Sequence, residues 1–438
     1  MDGRERSVGS AGAEPPSKEL RPRKLLKQPP CLLPGTTMLV TACLCLVALG
    51  LLMVLSATSI TAYDGTRASS FSVFVRQGLF AIAGLTMMTL AALTPVRAWE
   101  RLAWPLMGAG LLLLALPLVP GLGTTVNGST NWLRIGGLQA QPSELFKPIL
   151  AVWFAVALTH LTSRHYRPRR LLLTLSPVIL AAGFILIGGD LGTTLVLMLM
   201  GLAALFVSGV PKRYFVIAFG VISVAVTLLV ISSPYRMARV RAMFAGDSQS
   251  EAEALGQHWQ SNHGLFALAS GGWTGVGLGA SREKWFWLAE AHTDYIFAIV
   301  GEEIGLFGTL AVVALFGLIA IGLIRASLMS RNRRTKILGA SVLAWVVGQA
   351  LINMGVVTTL LPVIGVPLPF VSYGGSSLLA TLTGVGIVLA FARAYEPGAE
   401  CPPAPSTPTP PTEADPTDTE AGQTAQRRGE SRVSRAAT

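Results

Sequence analysis

The sequence predicts an all-α, polytopic membrane protein with about ten transmembrane helices and a large extracellular loop before the eighth. Three observations carry this. First, the 438 residues are 51% hydrophobic and 13% charged, with a mean hydropathy of +0.56, whereas soluble domains carry about a quarter charged residues. Second, ten apolar runs reach the roughly 20 residues that a helical crossing needs: about 38–56, 73–94, 102–120, 142–161, 171–188, 191–210, 214–232, 295–324, 337–357 and 376–394. The run 295–324 is long for one crossing, and the link between 171–188 and 191–210 is very short.

Third, basic residues gather on alternate links. Arg97 and Arg101 follow the second run, Arg164, Arg167, Arg169 and Arg170 the fourth, Lys212 and Arg213 the sixth, and Arg325, Arg331, Arg333, Arg334 and Lys336 the eighth. The links between them are poor: 57–72 holds only Arg67, 121–141 only Arg134, and 359–375 none. The positive-inside rule then places both termini in the cytoplasm and the loop 233–294 outside; its Arg236, Arg239, Arg241, Arg282 and Lys284 do not oppose this, because long loops translocate largely regardless of charge.

The chain divides into a basic tail over 1–36, a membrane domain over 37–396 and a Pro/Thr-rich tail over 397–438. Neither tail can bury a core, and both are expected to be disordered. The first run is too long for a signal-peptide core and reads as a retained anchor. Cys31, Cys43, Cys45 and Cys401 show neither a disulfide framework nor zinc spacing. The net charge of +11 is spread as topology signals, without the basic–aromatic patch of a nucleic-acid partner. The glycine-rich GGWTGVGLGAS at 271–281 lacks a following Lys and a βαβ setting, so no nucleotide cofactor is expected. His258, His263 and His292 read as scattered exposed histidines in preference to a metal site.

Polar groups at membrane depth are costly and so mark function. In AEAHTDYIFAIVGEEIG, 289–305, Asp294 stands at the mouth of the eighth run, with Glu302 and Glu303 two turns deeper and able to return to its face. Asp294 suits a general base or a cation ligand; it equally suits a helix N-cap. In NGSTNWLRIGGLQAQPSELFKPIL, 127–150, Pro142 and Ser143 open a helix on which Glu144 and Lys147 can pair. Lys147 can bind phosphate, or only neutralise Glu144 or snorkel. Arg134 can meet an anionic headgroup or anchor at the interface. In LPVIGVPLPFVSYGGSS, 361–377, three prolines and two paired glycines forbid a regular helix. Such backbone lines a wet cavity or is packed in protein; Ser372, Ser376 and Ser377 offer hydroxyls there, and a plain hairpin is the alternative. Asp190 reads as a cap between two runs, and Arg76 and Gln77 lie near the end of the second.

Taken together, AHTDYIFAIVGEEIG, LPFVSYGGSS, QPSELFKP and NGSTNWLRIGG resemble, in order, the motifs of the FtsW/RodA/SpoVE (SEDS) family of peptidoglycan glycosyltransferases, over about 38–396. EAHTDYIF and the long tails are more similar to the division member than to the elongation member, while GVPLP is more similar to the latter. Two departures stand out: Gly188-Gly189-Asp190 where the family has Gln-Pro-Asp, and QSNHGLFALASGG in place of a more apolar loop. The resemblance implies polymerisation of lipid II, an undecaprenyl-diphosphate-linked disaccharide–pentapeptide, into β-1,4 glycan strands on the outer face of the cytoplasmic membrane, at the division septum. It implies that Asp294 is the catalytic residue, as general base or as ligand of a Mg2+ or Mn2+ ion. Substrate contacts fall to Lys147, Glu144, Arg134, Arg76, Ser376, Ser377 and Glu303. The implied partners are a class B penicillin-binding protein transpeptidase, whose single transmembrane helix would pack on runs eight and nine, and other division proteins. An elongation-type polymerase, a lipid II flippase and a recruiting scaffold are the competing functions.

Overall fold

The computed structural model describes residues 34–58, 70–126, 129–135, 138–161, 168–244, 259–285 and 287–395. Both predicted tails fall outside these, except that the first helix already begins at Pro34. Ten long helices lie on the ten apolar runs: α1 (Pro34–Thr58), α2 (Ser70–Leu93), α3 (Val96–Ala115), α4 (Pro142–Ala157), α5 (Pro168–Ile187), α6 (Leu191–Val207), α7 (Lys212–Ile231), α10 (Ile296–Leu323), α11 (Arg333–Val357) and α12 (Gly375–Tyr395). Between α7 and α10 lie the shorter α8 (Pro234–Phe244) and α9 (Trp259–Gly271). Eight of the ten are long and apolar enough to span a bilayer; α4 and α6 have 16 and 17 residues. The protein is thus a polytopic helical membrane protein.

Three helix starts differ from expectation for one reason. α3 begins at Val96 and takes in Arg97, Glu100 and Arg101; α5 takes in Arg169 and Arg170; α11 takes in Arg333, Arg334 and Lys336. Charged first turns lower the hydropathy, so apolar runs understate these helices. The charges have partners: Arg334 Nη1 meets Glu100 Oε1 at 2.5 Å, and Arg333 donates to the carbonyls of Leu161 and Ser208 at the ends of neighbouring helices. A second difference is a three-stranded antiparallel sheet in the link after α3: β1 (Gly123–Val126), β2 (Ser129–Ile135) and β3 (Leu138–Ala140). Strands of three to seven residues give too little alternation to read from sequence.

α12 is central, packing on α2 and α4, while α11 packs on α4 and α6 and α1 on α10. α7 is peripheral and has no buried residue; its Val216, Phe219, Val221 and Leu228 all face outward. An apolar exterior of this kind suits lipid as solvent.

The unusual length of α10 conceals a break. Gly305 has φ 75° and ψ −163°, a conformation essentially restricted to glycine. Breaking a helix orphans amides and carbonyls, and the glycine-rich segment after α9 satisfies them. The amides of Leu306 and Phe307 donate to the carbonyls of Gly272 (2.9 Å) and Trp273 (3.3 Å), and those of Val276 and Gly277 donate to the carbonyls of Glu302 (2.9 Å) and Glu303 (3.1 Å). The GGWTGVGLGAS stretch is therefore a backbone plug for a broken helix. A methyl group on Gly305 would strike Gly275 and Trp273, whereas one on Gly317 of the same helix would meet nothing. Gly305→Ala should cost about 3 kcal/mol or more in thermal unfolding of the purified protein in detergent, and Gly317→Ala should be neutral or slightly stabilising. Equal melting temperatures for the two variants would remove the plug from the account.

Candidate active site

Three irregular segments converge at one end of the bundle: the turn before α10, the link Gly188-Gly189-Asp190 between α5 and α6, and the loop 358–374 between α11 and α12. The loop 358–374 cannot be helical, and its carbonyls find side-chain donors. Arg239 Nη1 of α8 donates to Val363 O at 2.9 Å. On α11, Gln349 Nε2 donates to Pro367 O at 2.8 Å and Asn353 Nδ2 to Val366 O at 2.8 Å. Ser372 Oγ donates to Thr293 O at 2.6 Å, and the Tyr373 amide to His292 O at 2.9 Å. These last two bonds fasten the loop directly to the segment that carries Asp294.

Asp294 is half-buried. Gly365, at φ 77°, faces it so closely that a Cβ there would lie 3.4 Å from Asp294 Oδ2. The carboxyl is pushed up to about 7, first by loss of hydration, then by the negative charges of Glu290 and Asp190, with Arg239 opposing. Among the described residues no hydrogen-bond donor reaches it. The residue preceding α10 is Tyr295, with no side-chain cap, so the position of Asp294 is not explained by capping. A carboxylate near neutrality and without donors is able to take up a proton.

Asp190 does cap α6, accepting from the Thr193 amide at 2.8 Å, and also accepts from Thr193 Oγ1 (2.6 Å) and Gln141 Nε2 (2.9 Å). Burial raises its pKa, and it feels both Lys147 and Glu144. It therefore stands electrostatically between Asp294 and the α4 pair. Beside it, the Asn131 side chain fills the space that a Cβ on Gly188 would need, and Ser129 Oγ and the Thr130 amide each donate to Gly188 O at 2.9 Å. Strand β2 thus accommodates the Gly-Gly departure from the family's Gln-Pro.

On α4, Lys147 and Glu144 form the expected pair at 2.6 Å, 1% and 2% exposed. Lys147 Nζ also donates to Gln349 Oε1 at 2.9 Å and lies 5.7 Å from the Trp345 ring. An ammonium has three donors, so one remains after Glu144 and Gln349. Glu144 Oε2 and Ser143 Oγ have no partner among the described residues. Ser376 is buried and accepts weakly from the Gln141 amide at 3.4 Å; Ser377 is half-buried next to it.

Three expected contacts lie elsewhere. Arg76 is exposed on α2, and its neighbour Gln77 touches the loop instead, through Ser372 O (3.4 Å) and the Gly374 amide (3.3 Å). Arg134 is exposed on β2. Glu303 does not share a cavity wall with Asp294: it is buried against Lys284 Nζ (2.9 Å) and Ser56 Oγ (2.6 Å). Glu302 likewise accepts from the Arg282 amide (2.8 Å) and Ser281 Oγ. The helical-face argument fails because both carboxylates are drawn to the plug. The histidines are not simply exposed either. His263 pairs with Glu283 at 2.5 Å and stacks on Trp287; His292 is half-buried beside Tyr373; His258 lies outside the described residues. Gln349, Asn353, Gly365 and Arg239 were missed as site residues. Two amides four residues apart in an apolar run were the available signal for the first two.

A divalent ion is not provided for by this donor set. Among the described residues no group of three His, Cys, Asp or Glu side chains converges, and of the two carboxylates that act on Asp294, Asp190 already accepts hydrogen bonds on both oxygens and Glu290 accepts one from Thr293 Oγ1.

Fold and site define a multi-pass membrane protein with a polar, enzyme-like site at one mouth of its helix bundle. Comparison with known proteins identifies the family: the model described as "Cell cycle protein", FtsW/RodA/SpoVE, matches residues 36–396, and the chain belongs to it. The chain is 40% identical over 354 residues to the probable peptidoglycan glycosyltransferase FtsW of Thioalkalivibrio sulfidiphilus, covering 79% of this chain and 86% of that one. It is 37% identical to the same-named protein of Mycobacterium tuberculosis, covering 81% and 67%. Among solved structures it resembles a chain from "Structural coordination of polymerization and crosslinking by a peptidoglycan synthase complex" (TM-score 0.65, 28% identity, 82% and 97% covered). It also resembles the rod shape determining protein RodA of Thermus thermophilus (TM-score 0.59, 29% identity, 82% and 97% covered).

The raised Asp294 carboxyl sets two signs. Activity that needs the carboxylate should fall as pH drops through about 7. A carboxyl whose folded pKa exceeds its unfolded value of about 3.9 destabilises the fold where it is charged; the cost is absent below that value and complete above about 7. Asp294→Asn should therefore melt higher than the parent at alkaline pH and alike at acid pH. The check is thermal unfolding at both, and a variant less stable at alkaline pH contradicts the burial.

Proposed function

We propose that this protein is a peptidoglycan glycosyltransferase that polymerises lipid II into β-1,4 glycan strands on the outer face of the cytoplasmic membrane, for septal cell-wall synthesis. The observation that carries this reading is the Asp294 carboxyl, raised to about 7 and reached by no donor among the described residues, at the mouth that also holds Asp190 and the Lys147–Glu144 pair. The distribution of the basic links supports an outside position for that mouth and an inside one for both termini, by the positive-inside rule.

The acceptor's GlcNAc 4-hydroxyl attacks the anomeric carbon of the donor's MurNAc. The new C–O bond forms as the bond to the lipid diphosphate breaks, inverting the anomeric centre, and the hydroxyl proton passes to Asp294. A carboxyl at its free value near 3.9 would be a weak base; one raised by burial accepts the proton at working pH. The departing diphosphate gains negative charge, and the third donor of Lys147 is available to it.

The partner is a class B penicillin-binding protein transpeptidase, with other division proteins around it. Its membrane helix fits the outward faces of α10 and α11, where Phe307, Leu310, Val313 and Leu351 are exposed. The site's position at one mouth favours an enzyme over a flippase, whose sites tend to the midplane.

Purified protein with its transpeptidase should convert lipid II to glycan. Asp294→Asn should lower turnover by at least about two orders of magnitude while retaining transpeptidase binding. Lys147→Ala should raise KM for lipid II. Full polymerisation by Asp294→Asn, read on gels of the glycan product, rules out the assigned base.

A further inference from the structure

We propose that Gln349 and Asn353 are positioning residues, two amides on one helix that hold the base and the diphosphate-binding lysine in a single frame. The inference rests on the reading of Asp294 and Lys147 given above.

The two residues are four apart on α11, hence one above the other on one face, and each is 1% exposed. Each bridges a site residue, Gln349 the Lys147 ammonium and Asn353 the Asp294 main chain, to the same short stretch of the loop 358–374. Gln349 accepts from Lys147 Nζ at 2.9 Å and donates to Pro367 O at 2.8 Å. Asn353 Nδ2 donates to the main-chain carbonyl of Asp294 at 2.7 Å and to Val366 O at 2.8 Å. Val366 and Pro367 are consecutive, and Gly365 before them is the residue lying against the Asp294 carboxylate. Lys147 on α4, the loop and the start of α10 are thus joined through one turn of α11. Because both carbonyl partners can only accept, the orientation of the Asn353 amide is fixed, and its Oδ1 is left without a partner among the described residues.

Burying two amides in an apolar helix is costly. Loop anchoring alone would need only the bonds to Val366 and Pro367. The two further bonds run to Asp294 and Lys147, and they tie the position of the base to that of the cation. Displacements of about an ångström at a reacting centre can cost on the order of a hundredfold in rate, so a rigid spacer between these groups has a kinetic consequence beyond stability.

The test uses the full-length protein with its transpeptidase, lipid II as substrate, and the near-isosteric variants Asn353→Leu, Gln349→Met and the double variant. Asn353→Leu should lower kcat on the order of tenfold with little change in KM. It should also move the acid limb of the rate profile to lower pH, as the loosened loop lets water reach Asp294. Gln349→Met should act mainly on KM. The double variant should lose less than the product of the two, because both hold the same loop. If Asn353→Leu does not fold, Asn353→Ser takes its place under the same criteria. Asp294→Asn runs in parallel: activity there defeats the underlying reading. An inactive Asp294→Asn together with amide variants of parental kcat, KM and acid limb defeats only the present inference. So does a uniform loss of active protein with the acid limb unmoved, the mark of a merely structural role.

Discussion

A backbone group that leaves a helix inside an apolar body must find a partner, because neither lipid nor packed side chains can replace water. Much of the polar architecture of this protein answers that constraint. The break at Gly305 is closed by the segment 272–277, and the carbonyls of the loop 358–374 are closed by Arg239, Gln349 and Asn353. The partners recruited for this purpose bring Asp294, Asp190, Glu144 and Lys147 to one mouth. Irregular backbone and chemistry coincide here because the first demands buried polar groups and the second uses them.

Charge is managed differently at the break and at the mouth. Lys284 and Glu303 form a buried pair that the half-buried Ser56 also meets, and removing one member of such a pair costs about 3–5 kcal/mol. The pair ties the segment that follows the plug to α1 and α10. The site itself is open-ended: the Asp294 carboxylate, Glu144 Oε2 and one donor of Lys147 lack partners among the described residues. Unspent hydrogen-bonding capacity within a buried polar group separates a binding site from a structural ion pair, and by that measure Asp294 and Glu144–Lys147 qualify where Glu303 does not.

Hydropathy located all ten long helices, since each is an apolar segment of nearly spanning length; it set starts too late where charged first turns, as at Arg97 and Arg333, disguise helix as link, and at the uncharged Pro34 start of the first helix. Motif reading found Asp294, Glu144 and Lys147 because carboxylate and ammonium stand out in apolar sequence. Glu303 was misplaced because a helical-face argument needs both residues on the helix, and Asp294 lies before its first residue, Ile296, while Glu303 is drawn to Lys284. Gln349 and Asn353 escaped notice because neutral amides in a span carry little signal until their distant partners, Pro367, Val366 and Asp294, are known. The sheet over 123–140 was invisible for a related reason: its strands are short, and its middle strand is held on the turn at Gly188, 59 residues from Ser129.

The central claim is that the mouth holding Asp294 faces the outside, where a lipid-linked sugar would be met. The direct measurement is thiol labelling of Ala289→Cys, an exposed position just before Asp294, in a version of the protein with its own four cysteines replaced. In intact cells a membrane-impermeant maleimide should label this cysteine without permeabilisation. Labelling only after the membrane is breached would put the site on the cytoplasmic side and contradict the account.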